Sequence, residues 1–279
     1  MNNTLAYIKQ ALGNHFQPEE IRSLTHLIFK ETCQFEPHQL LLYKDKELSE
    51  ATREQIKRIV ERLLANEPIQ YILGKTTFYD YTFHVTPAVL IPRPETEELV
   101  DLIVHSEKAE GLQLLDVGTG SGCIAISLAK QLKQAKVTAL DISHEALEVA
   151  RTNALANKAD VNFIQEDILS YDGAELEKLD FIVSNPPYVT YQEKDEMKQN
   201  VLAYEPHTAL FVTNNDPLLF YRAIAQFGLR NLKEGGRLYF EINSTLGQET
   251  LKLLIEVGYH ECTLIKDLSQ RDRIIKALR

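Results

Sequence analysis

The chain has 279 residues, 44% hydrophobic and 25% charged, with a formal net charge of −10. Such a composition fits a soluble globular protein long enough for two domains and a sizeable core. It excludes collagen-like and low-complexity chains, and no apolar run reaches the roughly 18 residues that a membrane span needs.

Cys33, Cys123 and Cys262 are few and far apart. They offer neither a disulfide framework nor metal-ligand spacing, so a reducing cytosol and no metal are expected. The start, "MNNTLAYIKQ", lacks a basic region followed by an apolar stretch, so no secretory signal and no membrane association are expected. Residues 1–75 hold ten Lys/Arg and ten Asp/Glu, so the remainder carries the whole −10. An acidic domain repels a phosphate backbone. No nucleic-acid substrate is expected, and the charge suits a basic protein partner.

The first 75 residues read as helices. "QPEEIRSLTHLIFK" opens with Pro18 and two acids, then sets Ile21, Leu24 and Ile28 on one face. "ATREQIKRIVERLLAN" places Ile56, Ile59, Val60, Leu63 and Leu64 at helical spacing, with Pro68 marking its end. A small helical bundle forming its own domain is expected over 1–75. The alternative is a set of helices that only decorate the next domain. In 76–90, "TTFYDYTFHVTPAVL", aromatic and β-branched residues favour strand, so a β-hairpin linker is expected. "IPRPETEELVDLIV" then opens a helix with acids in its first turn, and the large domain runs over 91–279.

From Leu112 strands and helices alternate. Strands are expected at 112–117, 136–141, 161–165, 179–184, 237–242, 260–265 and 272–277. This predicts an α/β fold: a seven-stranded, mostly parallel Rossmann-like sheet, its last two strands an antiparallel hairpin at one edge.

The strongest local signal is "LQLLDVGTGSGCIAISLAKQL". A buried strand runs into Gly118, Thr119, Gly120, Ser121 and Gly122, then into a helix. Glycines let the backbone turn tightly and approach a ligand, and the helix start aims N–H groups at it. The spacing is G-x-G-x-G, which departs from the dinucleotide fingerprint G-x-G-x-x-G. The next strand, "KVTALDIS", ends in Asp141, 23 residues beyond Gly118. An acid there is placed to accept from a ribose's two hydroxyls; the alternative is that it caps the following helix. The third strand, "VNFIQEDIL", ends in Glu166 and Asp167. Asp167 is a candidate acceptor for an exocyclic adenine amine, and Ile168 is a candidate to pack on the ring. Together the three strand ends describe a nucleoside-shaped site.

This arrangement resembles the S-adenosylmethionine-dependent methyltransferase fold over Leu112 to Arg279. In that fold the glycine loop contacts the methionine part of the cofactor, and the fourth strand lies beside the first. Here the fourth strand ends in Asn185-Pro186-Pro187-Tyr188. That motif is similar to the N-P-P-Y of enzymes that methylate planar amino groups on bases or on glutamine. An amide nitrogen's lone pair is delocalised into its carbonyl, so it is a poor nucleophile. Two acceptors aimed at its hydrogens would hold it, and the natural pair is the Asn185 side-chain oxygen and the Pro186 carbonyl. The prolines fix φ and keep that carbonyl in place. Tyr188 is expected to pack against the planar substrate group. The bland alternative is a strand-ending turn with a buried tyrosine.

Two further stretches narrow the resemblance. "EPIQYILGKTTFYDYTFHVTPAVLIPRPETEELV" (67–100) and "YEPHTAL" (204–210) resemble the peptide chain release factor glutamine methyltransferases over essentially the whole chain. The resemblance implies N5-methylation of the glutamine in the Gly-Gly-Gln loop of class-1 release factors. The methyl donor would be S-adenosylmethionine and the product S-adenosylhomocysteine, in the cytoplasm. By position, Gly118 to Gly122, Asp141, Asp167, Ile168 and Asn185 would bind the cofactor. Asn185 to Tyr188 would form the substrate site, with residues 1–75 recognising the substrate. Several family members carry an aromatic residue where this chain has Ile168. Arg93 and Glu95 in "IPRPET" are expected to brace the loop over the site or to form an ion pair capping the helix there. A base-modifying enzyme and a nicotinamide-dependent oxidoreductase are the competing readings.

Overall fold

The computed structural model describes residues 1–43 and 45–279, and Glu196 in its backbone alone. Contacts divide the chain into two units, Met1–Gly74 with Gln199–Tyr204, and Lys75–Lys198 with Glu205–Arg279.

In the first unit lie α1 (Asn2–Leu12), α2 (Pro18–Cys33), α3 (Pro37–Leu42), α4 (Glu50–Leu64) and α5 (Ile69–Leu73). Pro18 and two glutamates open α2, and Gln34 ends it in the left-handed conformation. Ser49 caps α4, accepting from Thr52 N–H. α4 ends at Leu64, and Pro68 instead opens α5. The apolar faces bury Ile8, Leu12, Ile28, Phe29, Ile56 and Val60 in one core.

The second unit opens with a hairpin, β1 (Lys75–Phe78) and β2 (Tyr81–His84). Tyr79 and Asp80 turn it with φ of 47° and 64°, the sign a tight hairpin turn demands. α6 (Pro94–Ser106) follows. The alternating part comprises β3 (Gln113–Val117), α7 (Cys123–Gln131), β4 (Lys136–Asp141), α8 (His144–Asn157), β5 (Val161–Gln165) and β6 (Leu179–Ser184). Then come β7 (Val189–Thr190), α9 (Gln199–Tyr204, of the first unit), α10 (His207–Leu210) and β8 (Phe211–Val212). The chain closes with α11 (Leu219–Asn231), β9 (Leu232–Glu241), α12 (Gly247–Val257), β10 (His260–Lys266) and β11 (Asp272–Leu278).

The seven-stranded sheet has the order β10-β11-β9-β6-β3-β4-β5. β5, β4, β3, β6 and β9 run parallel, while β11 is antiparallel to both its neighbours. This is the predicted sheet, with its antiparallel hairpin at one edge. β9 starts five residues earlier than its pattern suggested, because Leu232 already pairs with Leu179 across a register shift. The short parallel pair of β7 and β8 was not foreseen, since two-residue strands carry no periodicity.

Side chains alternate across the sheet. Leu114, Phe181, Val183 and Tyr239 face one core with Phe78, Phe83, Leu99 and Ile126. Leu115, Ile182, Leu238 and Phe240 face the other with Tyr221, Phe227 and Leu254. Among the described residues no helix is long and apolar enough to cross a membrane.

Buried Asn153 on α8 joins three elements. Its Oδ1 accepts from His84 N–H (2.6 Å), and its Nδ2 donates to the carbonyls of His84 and Ser121, each at 2.9 Å. N153A strands these backbone groups away from water. We expect it to lower unfolding free energy by about 2–4 kcal/mol in urea titration, a loss that an exposed asparagine would not produce.

Candidate active site

Parallel pairing of β3 with β6 sets Val117 opposite Ser184. The glycine loop and the Asn-Pro-Pro-Tyr segment therefore leave the sheet side by side. β4 and β5 bring Asp141 and Asp167 to the same edge. A cavity of about 400 Å³ opens there, a size suited to a small molecule. Gly118, Gly120, Asp141, Asp167, Ile168, Asn185, Pro186 and Pro187 line it. Its outer wall includes Val89, Leu90, Tyr191, Pro206, His207 and Phe211. Tyr191 and Phe211 stack with centroids 4.9 Å apart.

The three loop glycines do two different jobs. Gly118, Gly120 and Gly122 have φ of 73°, 53° and 80°. A Cβ on Gly118 or Gly120 would meet no atom within 4 Å. Those two leave an open cradle for a ligand. A Cβ on Gly122 would lie 2.9 Å from Ile126 Cδ1 and 3.2 Å from Ala150 Cβ, so Gly122 serves the packing of α7 on α8.

Thr119, Ser121 and Gly122 lie off the cavity lining, unlike their expected role. Thr119 turns inward because its hydroxyl donates to Asp116 Oδ2 (2.6 Å). Ser121 is buried, its carbonyl held by Asn153. Asp116 Oδ2 also accepts from Ala125 N–H (3.2 Å), which ties the loop to α7. Its Oδ1 is buried without a partner, and burial pushes the carboxyl up to about 7.

Asp141 stands where the ribose acid was expected. Its Oδ2 accepts from Gly120 N–H (2.8 Å) and its Oδ1 from Ser143 N–H (2.9 Å). A carboxylate offers about four acceptor sites, so capacity remains for two hydroxyls. Burial raises its pKa, and these backbone bonds oppose the rise. Ser143 caps α8, accepting from Ala146 N–H, so the acid braces the loop while the serine caps the helix. Asp167 Oδ1 accepts from Leu169 N–H (2.9 Å), and Ile168 presents an apolar wall beside it.

Asn185 is half-buried on the cavity wall. Its Nδ2 donates to Thr96 Oγ1 (3.2 Å), and Thr96 donates to Glu241 Oε2 (2.6 Å). Tyr188 departs from its expected place. It is absent from the lining, and its hydroxyl donates to Glu241 Oε1 (3.3 Å). Burial and the facing Glu241 carboxylate hold the phenol protonated far above its ordinary value. It is half-buried, packed against the core on one face of the sheet.

Arg93 reaches Glu205 at 2.5 Å, and Glu205 also accepts from Ile91 N–H (3.2 Å). This pair clips "IPRP" to "YEPHTAL" at the rim. Arg93 makes no side-chain cap for α6, and Glu95 faces Arg271 instead (3.7 Å). Sequence reasoning did not single out Thr96, Glu205 or Glu241. The available signal was an acid inside an apolar strand, "LYFEI", and the residues flanking each proline motif. Among the described residues no His, Cys, Asp and Glu cluster could hold a metal.

The site fits S-adenosylmethionine on chemical grounds. The open glycine cradle suits the methionine part, Asp141 the ribose and Ile168 the adenine. A family model described as Methyltransferase small domain matches residues 96–210, and one described as PrmC N-terminal domain matches 3–74. The release factor glutamine methyltransferase of Bacteroides thetaiotaomicron is 49% identical over 279 residues, covering 100% of both chains. The chain belongs to the release factor glutamine methyltransferases. The enzyme of that name from Flavobacterium psychrophilum is 47% identical over 271 residues, covering 96% of this chain and 95% of its own. A methyltransferase structure from Pyrococcus furiosus shares the fold, with a TM-score of 0.54, 19% identity, and coverage of 78% and 96%.

G118A and G122A both put a Cβ on left-handed backbone, at about 1–2 kcal/mol. Calorimetry should show G118A losing cofactor affinity, by about tenfold or more, while G122A loses more in melting temperature. Equal effects on both readouts would contradict the division of labour. For Asp116, the folded state holds a proton more tightly than the unfolded chain between its ordinary value and about 7. Its contribution to stability is therefore present at low pH and lost as pH rises through that window. D116N lacks this loss, so its stability relative to wild type should be higher at pH 8 than at pH 5 in thermal melts.

Proposed function

We propose that the chain methylates the side-chain amide nitrogen of the glutamine in the Gly-Gly-Gln loop of class-1 peptide chain release factors. The observation that carries this reading is Asn185. It stands on the cavity wall beside the glycine cradle, with its NH₂ end bound away by Thr96. An acceptor oxygen is what a substrate amide N–H requires.

S-adenosylmethionine supplies an electrophilic methyl when bound. This chain's residues do the rest by positioning. Gly118 and Gly120 admit the methionine part, and Asp141 holds the ribose hydroxyls. Asp167 and Ile168 receive the adenine. The Asn185 oxygen and the Pro186 carbonyl accept the two amide hydrogens. That pairing orients the nitrogen and favours its shift towards tetrahedral geometry as it attacks. Pro187 keeps the carbonyl's backbone rigid, and Tyr188 supports the turn from behind. No strong base is needed, since the proton leaves after transfer. In this reading residues 1–75 form the substrate-recognition domain, 76–90 the linker and 91–279 the methyltransferase domain. The acidic charge of the larger part suits a basic partner and disfavours nucleic acid. A cytoplasmic location fits a translation-related substrate.

Incubation of purified release factor with enzyme and cofactor should add one methyl group to the loop glutamine, located by tandem mass spectrometry. No gain with cofactor bound, or a methyl on another residue, refutes the reading. N185A should lower kcat about 100-fold, because a positioning contact is lost, with cofactor affinity held within about threefold. An equal loss in both would make Asn185 a cofactor ligand only.

A further inference from the structure

Asn185 acts only if its oxygen faces the substrate. The two ends of an asparagine amide have nearly the same shape, so hydrogen bonds alone decide which way it points. We propose that Thr96 and Glu241 are positioning residues that fix the Asn185 amide with its oxygen towards the substrate. The inference rests on the glutamine-amide reading above.

The geometry makes the chain one-directional. Glu241 sits at the end of β9, buried, and an ionised carboxylate only accepts. Thr96, near the start of α6 and also buried, has one hydroxyl proton. It lies 2.6 Å from Glu241 Oε2 and is committed there, in the short range of charge-assisted bonds. Thr96 can then offer Asn185 only lone pairs. Asn185 must answer with its NH₂, and it does so at 3.2 Å. A reversed amide would set oxygen against oxygen with no proton between them.

Both carboxyl oxygens of Glu241 accept from a hydroxyl. Tyr188 donates to its other oxygen at 3.3 Å. From β11, Arg273 approaches Oε1 at 4.0 Å and is itself held by Asp267 at 3.3 Å. Burial raises the Glu241 pKa, and Glu95 on α6 adds to the rise, while the bonds from Thr96 and Tyr188 and the charge of Arg273 oppose it. The carboxylate thus has two hydroxyl donors and one cation around it. Thr96 and Glu241 are absent from the cavity lining, so both act through Asn185.

The test uses three full-length variants. T96V keeps the β-branched shape and removes the hydroxyl. T96S keeps the hydroxyl. E241Q leaves one acceptor oxygen where two hydroxyls need one. We expect T96V to lower kcat about tenfold to a hundredfold, the scale of a misplaced contact. KM for release factor and affinity for S-adenosylhomocysteine should change by less than about threefold. T96S should stay within about threefold of wild type, and E241Q should fall between wild type and T96V. A second readout needs no turnover. The ¹⁵N side-chain amide signals of Asn185, identified by their loss in N185A, should shift in T96V and E241Q and stay in place in T96S.

T96V turning over at the wild-type kcat, or Asn185 signals indifferent to T96V, would overturn the proposal. If T96V does not fold, E241Q carries the test, and wild-type kcat with unmoved signals there would overturn it equally. A wild-type enzyme that leaves glutamine unmethylated would instead refute the underlying reading, while the Asn185 signals would still report its orientation.

Discussion

The site depends on one lateral contact, the parallel pairing of β3 with β6. The chain leaves β3, builds β4 and β5 on one side, and returns to place β6 on the other. At such a switch point the loops after the two strands diverge and leave a crevice. The pairing sets Val117 opposite Ser184, and the Ser184 hydroxyl donates to the Val117 carbonyl at 2.7 Å. Residue 118 and residue 185 therefore begin their loops as neighbours. The glycine loop and Asn185 are adjacent because two strands are adjacent.

Behind that edge lies a layer of buried polar groups. Burying a carboxylate is costly unless it is hydrogen-bonded. Asp116, Glu241 and Glu205 are each bonded, and each holds a different part of the site. Asp116 fastens the glycine loop to α7, Glu241 fastens Thr96 and Tyr188, and Glu205 joins the two proline segments at the rim. A hydrophobic layer could fill the same space but could not orient an amide. The polar layer supplies direction, and the apolar cores on either face of the sheet supply the stability that permits it.

Much of this was legible from local pattern. The sheet strands announced themselves by apolar runs between helices. The glycine loop, Asp141 and Asn185 stood at strand ends, where open α/β sheets place ligands. Function within the loop was harder to read. Thr119 and Ser121 look like ligand residues in "GTGSG", yet Asp116 draws Thr119 inward and Asn153 holds Ser121. Tyr188 looked like a substrate platform, but its hydroxyl finds Glu241, 53 residues away. Thr96 and Glu241 are separated by 145 residues, and no spacing rule links positions joined only by packing. The same holds for Arg93 and Glu205.

In the proposed reaction Asn185 and Pro186 present two acceptors to a glutamine amide. A crystal structure with S-adenosylhomocysteine and a Gly-Gly-Gln peptide tests it most directly. The glutamine side-chain nitrogen should lie within about 3 Å of both Asn185 Oδ1 and the Pro186 carbonyl, with Thr96 still accepting from Asn185 Nδ2. A glutamine bound away from Asn185, or an asparagine turned to present its NH₂ group, would contradict it.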